Sequence, residues 1–438
     1  MSNKNSQLIF VCSECGEEYA KWQGKCANCS GWNTLKEFKT SQTTKQKNVT
    51  VEITNLAEVK AENFGRISSE ISEMDRVLGA PSTGSGQGGV VPGSVILLGG
   101  EPGIGKSTLV MQIASKLKNT YYVSGEESLQ QIKMRSDRLK VKSQNINIIA
   151  ETNVDAIITA LSKTKPSLVI VDSVQTMYSA DFPSTAGSLV QVRESALRLQ
   201  KYAKQNNVPV ILVGHVTKDG AVAGPKTLEH MVDVVLYLEG ERFHDLRILR
   251  TTKNRFGATD EIGIFEISSK GLEEVNNPSK IFLAERTTKT AGCVVTATIE
   301  GSRPLLIEIQ ALVSPSNFGY PKRTASGFDL NRLQLIIAIL INRAQLNLSS
   351  QDVYLNISGG FYLKEPAGDL AVAMAIASAF KNKPIDSKTI IFGELGLSGE
   401  VRPVNLASKR QIEAKRLGFT KIINETNIQN LIRKLNND

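Results

Sequence analysis

The sequence predicts an α/β protein in three parts. These are a small four-cysteine module, a larger domain with a mainly parallel sheet, and a second α/β domain at the C-terminal end. Three observations predict it. Two C-x-x-C pairs, Cys12/Cys15 and Cys26/Cys29, place four of the five cysteines within eighteen residues. A glycine-rich turn, Gly100 to Ser107, joins an apolar run to an apolar-periodic segment and fits G-x-x-x-x-G-K-[ST]. From there to about residue 275, short apolar runs alternate with helical patterns, as in a parallel sheet covered by helices.

Composition sets the outer bounds. A chain of 438 residues exceeds one ordinary core, so two or three domains are expected. The apolar content of 41% is that of a globular protein, and no stretch approaches the ~20 apolar residues of a membrane span. The first residues, Met-Ser-Asn-Lys-Asn-Ser-Gln, have no apolar core of the signal-peptide kind, so a cytoplasmic location without membrane contact is expected. A net charge of +9 permits a polyanionic partner without selecting one. The only histidines are His215, His230 and His244, which argues against a histidine-rich metal site.

The first element is the cysteine module, residues 8–36. Each C-x-x-C pair makes a tight knuckle, and two together present four thiolates tetrahedrally to Zn²⁺ through Cys12, Cys15, Cys26 and Cys29. Gly16 and Gly31 follow the knuckles, where the chain must turn around the metal. Disulfides fit an intracellular chain poorly, and a redox C-x-x-C would not come doubled. So small a module has almost no core, so the metal should supply its folding energy. The polar stretch Lys36 to Thr50 reads as a linker. Cys293, in an alternating Val-Val-Thr-Ala-Thr run, reads as a small core residue.

The second domain spans residues 50–275. Ile71 to Gly79 reads as a short amphipathic helix, followed by a Gly/Ser-rich loop, Ala80 to Gly89. Strand Val95–Leu98 enters the phosphate loop, formed by Gly100, Glu101, Pro102, Gly103, Ile104, Gly105, Lys106, Ser107 and Thr108. The glycines let backbone N–H groups converge on phosphate at a helix N-terminus already biased toward anions. Lys106 neutralises the β/γ-phosphates of ATP, and Ser107 offers its hydroxyl to Mg²⁺. The next helix carries Leu109, Ile113 and Leu117 on one face. Tyr121 to Ser128 reads as a strand ending in two carboxylates, Glu126 and Glu127, either of which could orient the attacking water; Glu126 is the better placed. Leu168-Val-Ile-Val-Asp172 is an apolar strand closing on an aspartate that holds Mg²⁺. A long helix follows with Leu189, Val192, Ala196, Leu199 and Ala203 at 3-4-3-4 spacing, then strand Val208 to His215. Thr251-Thr-Lys-Asn-Arg-Phe-Gly257 lies between strand-like Leu246–Leu249 and alternating Glu261–Ile267. Its Lys253 and Arg255 are either a solvated hairpin tip or cations that reach a nucleotide held by a neighbouring subunit.

Taken together, the four-cysteine module, Gly100–Ser107, Val123-Ser-Gly-Glu-Glu-Ser128, Lys253-Asn-Arg-Phe-Gly257 and Gly396-Leu-Ser-Gly-Glu-Val-Arg-Pro403 resemble the bacterial RadA (Sms) family of DNA-repair ATPases over nearly the whole chain. The resemblance implies a RecA-like ATPase core and hexameric rings with nucleotide at subunit interfaces. It implies action on single-stranded and branched DNA during recombination, by branch migration or unwinding alongside the RecA recombinase. By the same resemblance Glu126 takes the catalytic-glutamate role, and Lys253 and Arg255 act in trans, linking nucleotide to DNA. The loop Ala80–Gly89 is longer than the short turn usual in that family.

The third domain, residues 276–438, brings strands at Gly292–Ile299, Leu305–Ala311 and Val353–Ser358, a helix at Asp329–Asn342 and a small-residue helix at Leu370–Phe380. It resembles the proteolytic domain of Lon proteases, whose chemistry uses a Ser–Lys pair. Pro366-Ala-Gly368 holds no serine where that nucleophile would lie, and Ala407 stands where the lysine is aligned. Ser358 and Lys364 do not stand in the motif. The resemblance therefore implies a protease fold without protease chemistry, serving oligomerisation and DNA contact. Lys322, Arg323, Lys409, Arg410, Lys415 and Arg416 are either a solvated surface or contacts to duplex phosphates. A regulatory ATPase acting through protein contacts is the main alternative, and an ATP-dependent protease the weaker one.

Overall fold

The structure is a computed structural model that describes residues 8–13, 17–39, 55, 65–79, 88–182, 184–215, 228–240, 246–283, 290–316, 319–423 and 425–437. Cys15, most of the Lys36–Thr50 linker and most of the Ala80–Gly89 loop lie outside the described residues. The chain divides into two compact units, Met1–Glu239 with Arg247–Glu274, and Gly240–Leu246 with Val275–Asp438.

In the first unit, β1 (Leu8–Cys12), β2 (Glu18–Tyr19) and β3 (Leu35–Lys39) form an antiparallel sheet in the order β2-β1-β3. Its core is Cys12, Cys26 and Leu35, flanked by Phe10 and Tyr19. Helix α1 (Ser72–Gly79) follows.

A nine-stranded sheet then dominates. In chain order it comprises β4 (Val95–Gly100), α2 (Lys106–Lys116), β5 (Thr120–Ser124), α3 (Leu129–Arg138), β6 (Ile146–Ile149), α4 (Val154–Leu161) and β7 (Leu168–Asp172). It continues through α5 (Leu189–Asn206), β8 (Val210–Val213), β9 (Val234–Gly240), β10 (Leu246–Asn254), β11 (Ile262–Ser268) and β12 (Gly271–Glu274). The strand order is β12-β11-β10-β9-β4-β8-β7-β5-β6. Six of these strands, from β9 to β6, run parallel. Alternate strand residues serve two cores: Ile96, Leu98, Ile170 and Ile211 pack on one face, Val95, Leu97, Val169 and Leu212 on the other. A period of two along each strand makes this division.

One local expectation shifts. The strand expected to run into Glu126 and Glu127 stops at Ser124, because Ser128 caps α3: its hydroxyl accepts from Gln131 N, and the Gln131 side chain accepts from Ser128 N. Residues 125–127 are therefore a turn. Strands β6 and β9 and helix α4, which no motif singles out, complete the sheet and its cover.

The second unit contains α6 (Pro278–Leu283), β13 (Cys293–Glu300), β14 (Arg303–Pro315), β15 (Arg323–Ser326), α7 (Leu330–Ala344), β16 (Gln351–Ile357) and α8 (Asp369–Lys381). After it come β17 (Thr389–Ile390), β18 (Glu394–Leu395), β19 (Val401–Arg402), α9 (Ala407–Arg416), β20 (Lys421–Ile422) and α10 (Ile428–Asn437). Six strands form a mixed sheet in the order β15-β16-β14-β13-β17-β20, with β18 and β19 a separate pair. Helix α8 is buried from Asp369 through Ser378, which its small and aliphatic residues allow. No helix among the described residues is long and apolar enough to cross a membrane.

The cations of this unit divide by burial. Lys409, Lys415 and Arg416 are exposed, and Arg416 pairs with Glu413 at 2.7 Å. Arg410 fits neither expectation, a solvated face or a contact to duplex phosphates: it is 0% exposed. It pairs with Glu365 and donates to the carbonyls of Ala297 and, at 3.1 Å, Asn405. Glu365 in turn accepts from Thr298 Oγ1 at 3.1 Å and Ile299 N at 2.9 Å, so the pair ties α9 to β13. Arg323 is likewise half-buried, donating to the carbonyls of Leu348, at 2.9 Å, and Gln351. Arg410→Ala should therefore destabilise this unit by about 3–5 kcal/mol, since it strands Glu365 without its partner. Urea unfolding checks this; a loss under about 1 kcal/mol would mean the pair is solvated in solution.

Candidate functional site

The site is built at the C-terminal edge of the parallel strands. Strand β4 ends at Gly100, and three glycines bend the loop: Gly100, Gly103 and Gly105 have φ of +153°, +77° and +113°. A Cβ at Gly100 would also lie 2.6 Å from the Leu238 carbonyl oxygen, so the loop can leave the sheet there only as glycine. Lys106 opens α2 and curls back, donating from Nζ to the carbonyls of Gly100 and Glu101 at 2.9 Å each. No side chain caps α2, so its first N–H groups face the concavity of the loop. Glu101, Pro102 and Gly103 are exposed, and Ile104, Ser107 and Thr108 half-buried. The loop is a glycine-bent concavity with a cation inside it, a shape and charge that suit a phosphate.

Two carboxylates stand against that cation. Asp172 ends β7 beside Ser124 of β5 and is 8% exposed. The buried Tyr122 hydroxyl donates to Asp172 Oδ2. Glu126, in the turn after β5, accepts from the Ser173 hydroxyl at Oε1, and His215 Nε2 lies 3.5 Å from the same oxygen. Glu127 points elsewhere and pairs with Arg135 of α3. Burial lowers the Lys106 pKa, while the charges of Asp172 and Glu126 push it back up. The three groups thus share one field, with Lys106 as its positive member.

Lys253 and Arg255 occupy the opposite edge of the same sheet. Lys253 Nζ donates to the carbonyls of Glu229 at 2.6 Å and His230 at 3.3 Å. Arg255 Nη1 lies 3.5 Å from Asp233 Oδ1, and its backbone N donates to Asp233 O. Asp233 Oδ2 accepts from Val95 N, the first residue of β4, at 3.0 Å. The phosphate loop starts at the far end of that strand, so these cations stand about 17 Å from it, at ~3.3 Å per residue. Neither side chain spans that gap. Arg255 is exposed, and burial with neighbouring Arg255 lowers the pKa of Lys253.

In the small module, the sulfurs of Cys12, Cys26 and Cys29 lie within 4.8 Å of one another, and those of Cys12 and Cys29 are 3.6 Å apart. Thiolates placed tetrahedrally around zinc at ~2.3 Å stand about 3.8 Å from each other, so the described cluster fits such an ion. Thr34 Oγ1 and the Tyr19 hydroxyl sit 3.2 Å from the sulfurs of Cys12 and Cys26.

The family models match these parts. One described as a rubredoxin metal binding domain matches residues 10–37, one described as an AAA domain residues 80–221, and one described as subunit ChlI of Mg-chelatase residues 330–427. Three proteins named DNA repair protein RadA match almost end to end. That of Listeria monocytogenes is 48% identical over 96% of this chain and 93% of its own. Those of Halalkalibacterium halodurans and Bacillus subtilis are 48% and 46% identical, each over 94% of this chain and 91% of its own. The chain belongs to the RadA family of DNA repair proteins. Among solved structures, the RadB recombinase aligns with a TM-score of 0.35 at 22% identity, over 43% of this chain and 94% of that one.

In this RadA-family chain, sequence patterns did not mark Tyr122, Ser173 or His215, which hold the acidic groups in place. Ser173 and His215 do follow or end strands that the patterns located, so strand C-termini were the available signal. Beside the phosphate loop, a cavity of about 320 Å³ is lined by Gly103, Gly105, Thr108, Arg138 and the β11–β12 hairpin around Ser269. Its lining runs from Gly103 to Leu272, 169 positions apart, which no local pattern connects.

Proposed function

We propose that this RadA-family chain is a DNA-dependent ATPase of recombinational repair, working in the cytoplasm as a ring-shaped, hexameric oligomer. The observation that carries the reading is the placement of Lys106, Asp172 and Glu126 at one edge of the sheet and Lys253 and Arg255 at the other. A head-to-tail contact between identical subunits brings opposite edges together, which closes a ring when the rotation allows. The phosphate loop would then hold ATP, with Lys253 and Arg255 of the next subunit completing the site.

Within one subunit, Lys106 and the N–H groups of α2 bind and orient the phosphates. Ser107 and Asp172 would hold Mg²⁺, which when bound neutralises phosphate charge. Tyr122 donates to Asp172 Oδ2 and so orients the carboxylate that would hold the ion. Glu126, oriented by Ser173 and His215, positions water for in-line attack and takes up its proton. Cys12, Cys15, Cys26 and Cys29 would hold Zn²⁺. The buried Ala367 in the Pro366–Gly368 turn carries no hydroxyl, which supports a C-terminal domain, residues 276–438, that acts as a platform without proteolysis. Single-stranded and branched DNA are the proposed substrates, and the RecA recombinase the proposed partner. Branch migration or unwinding is the proposed output of turnover.

Subunit mixing tests the carrying observation. Lys106→Ala and Arg255→Ala proteins should each be nearly inactive alone. Mixed equally, they should recover activity at about a quarter of the interfaces, where an intact Lys106 faces an intact Arg255. No recovery in mixed oligomers of verified composition would remove Arg255 from a neighbour's site.

A further inference from the structure

We infer that the cysteine module carries a stacking platform for single-stranded nucleic acid, built from Trp22 and Trp32; the inference rests on the DNA-handling reading above and names where unpaired bases are held. The chain has two tryptophans, and both are in this module. Both are exposed, Trp22 at 56% and Trp32 at 71%, although burying either ring would strengthen a core that otherwise rests on Cys12, Cys26 and Leu35. Aromatic rings kept in water beside so poor a core signal a contact surface.

The geometry places the two rings together. A Cβ on Gly24 would touch Cη2 of Trp22 and Cζ3 of Trp32, each at 3.8 Å, so the rings flank one backbone point. Trp32 is held by its bridge to Lys25, and Asn33 N donates to Gly24 O at 2.8 Å. Both rings therefore stand beside Gly24, two residues before Cys26 of the cysteine cluster.

Charge selects the occupant. From Tyr19 to Lys36 the chain has Lys21, Lys25 and Lys36 and no aspartate or glutamate. Lys21 and Lys25 are exposed, and Lys25 Nζ lies 5.9 Å from the Trp32 ring centroid. Aromatic faces for bases interleaved with cations for phosphates are what sequence-tolerant single-strand binding requires. Duplex DNA keeps its bases stacked on each other and offers such rings nothing but its ends.

Because all tryptophan emission comes from this face, fluorescence reads it directly. Full-length protein without nucleotide is titrated with oligothymidylate while anisotropy of a labelled copy of the same strand reports total binding. Emission should be quenched in step with anisotropy. Trp22→Ala and Trp32→Ala should each weaken binding about tenfold or more, with Trp→Phe recovering part of it. Zinc content and basal ATPase rate should stay unchanged. Lys25→Ala should lower the salt slope of binding by about one.

Anisotropy that saturates without quenching, or alanine variants that bind as wild type does, overturns the platform. So does equal quenching by blunt duplex of the same length. No binding by either readout overturns both the platform and the DNA-dependent reading. Quenching in a protein whose ATPase ignores DNA leaves the platform standing and sinks only the motor.

Discussion

Lys106→Ala should lower ATP turnover by at least about a hundredfold to a thousandfold, the scale for deleting one preorganised charge at a reacting phosphate. The reason is the position of Nζ. It spans the loop between the carbonyls of Gly100 and Glu101 and carries the positive charge facing Asp172 and Glu126. On the proposed reading, removing it leaves the charges of Asp172 and Glu126 unopposed beside the phosphates of bound ATP, so the barrier rises through both lost attraction and bare repulsion. The fold should survive. The loop conformation is set by glycines at +77° and +113°, and the lost hydrogen bonds end on a partly exposed loop, at about 1 kcal/mol each. Phosphate release and thermal melting, measured together, separate the outcomes. A variant that melts normally and still turns over would take the lysine out of the chemistry.

The second large effect is expected on removing zinc. A chelator, or Cys26→Ser, should unfold the three-stranded cysteine module while leaving the melting of the nine-stranded sheet unchanged. A three-stranded sheet over Cys12, Cys26 and Leu35 lacks the apolar area to offset its ordering entropy. Metal binding in such modules contributes about 10–16 kcal/mol at neutral pH, and that is the folding energy. The readouts are zinc stoichiometry, expected at one per chain, and the rate of proteolytic cleavage within the module. A metal-free module that resists protease as well as the holoprotein does would show that the cysteines are not its scaffold.

How far the sequence could be read depended on the distance over which each feature is decided. Strand β4, the phosphate loop and α2 were legible because an apolar run, three glycines and an i, i+4, i+8 stripe are all local. Helix α5 was legible for the same reason. Strand β9 was not: its apolar residues form a short run buried on both sides of the sheet, indistinguishable from many core segments. Glu126 and Glu127 are neighbours with the same chemistry, and their roles divide only when β7 and β8 bring Ser173 and His215 to one of them and α3 brings Arg135 to the other. For Arg410 a signal did exist. It shares the stripe of Ala407, Ala414 and Leu417 on α9, the face that packs inward, while Lys409 and Lys415 do not.

Neighbouring residues alone fix the local chemistry: a glycine-rich loop that suits phosphate, an aspartate closing a buried strand, four cysteines at metal-ligand spacing. Each depends on backbone geometry over a few residues, so spacing encodes it. Packing of distant elements fixes which carboxylate is held by Ser173 and His215, that Arg410 is interior, and that Lys253 and Arg255 stand at the wrong edge to serve their own phosphate loop. Those facts follow from strand order and direction, which bring together or hold apart residues far separated in the chain. No local pattern specifies them, because they are set by which strands share a core.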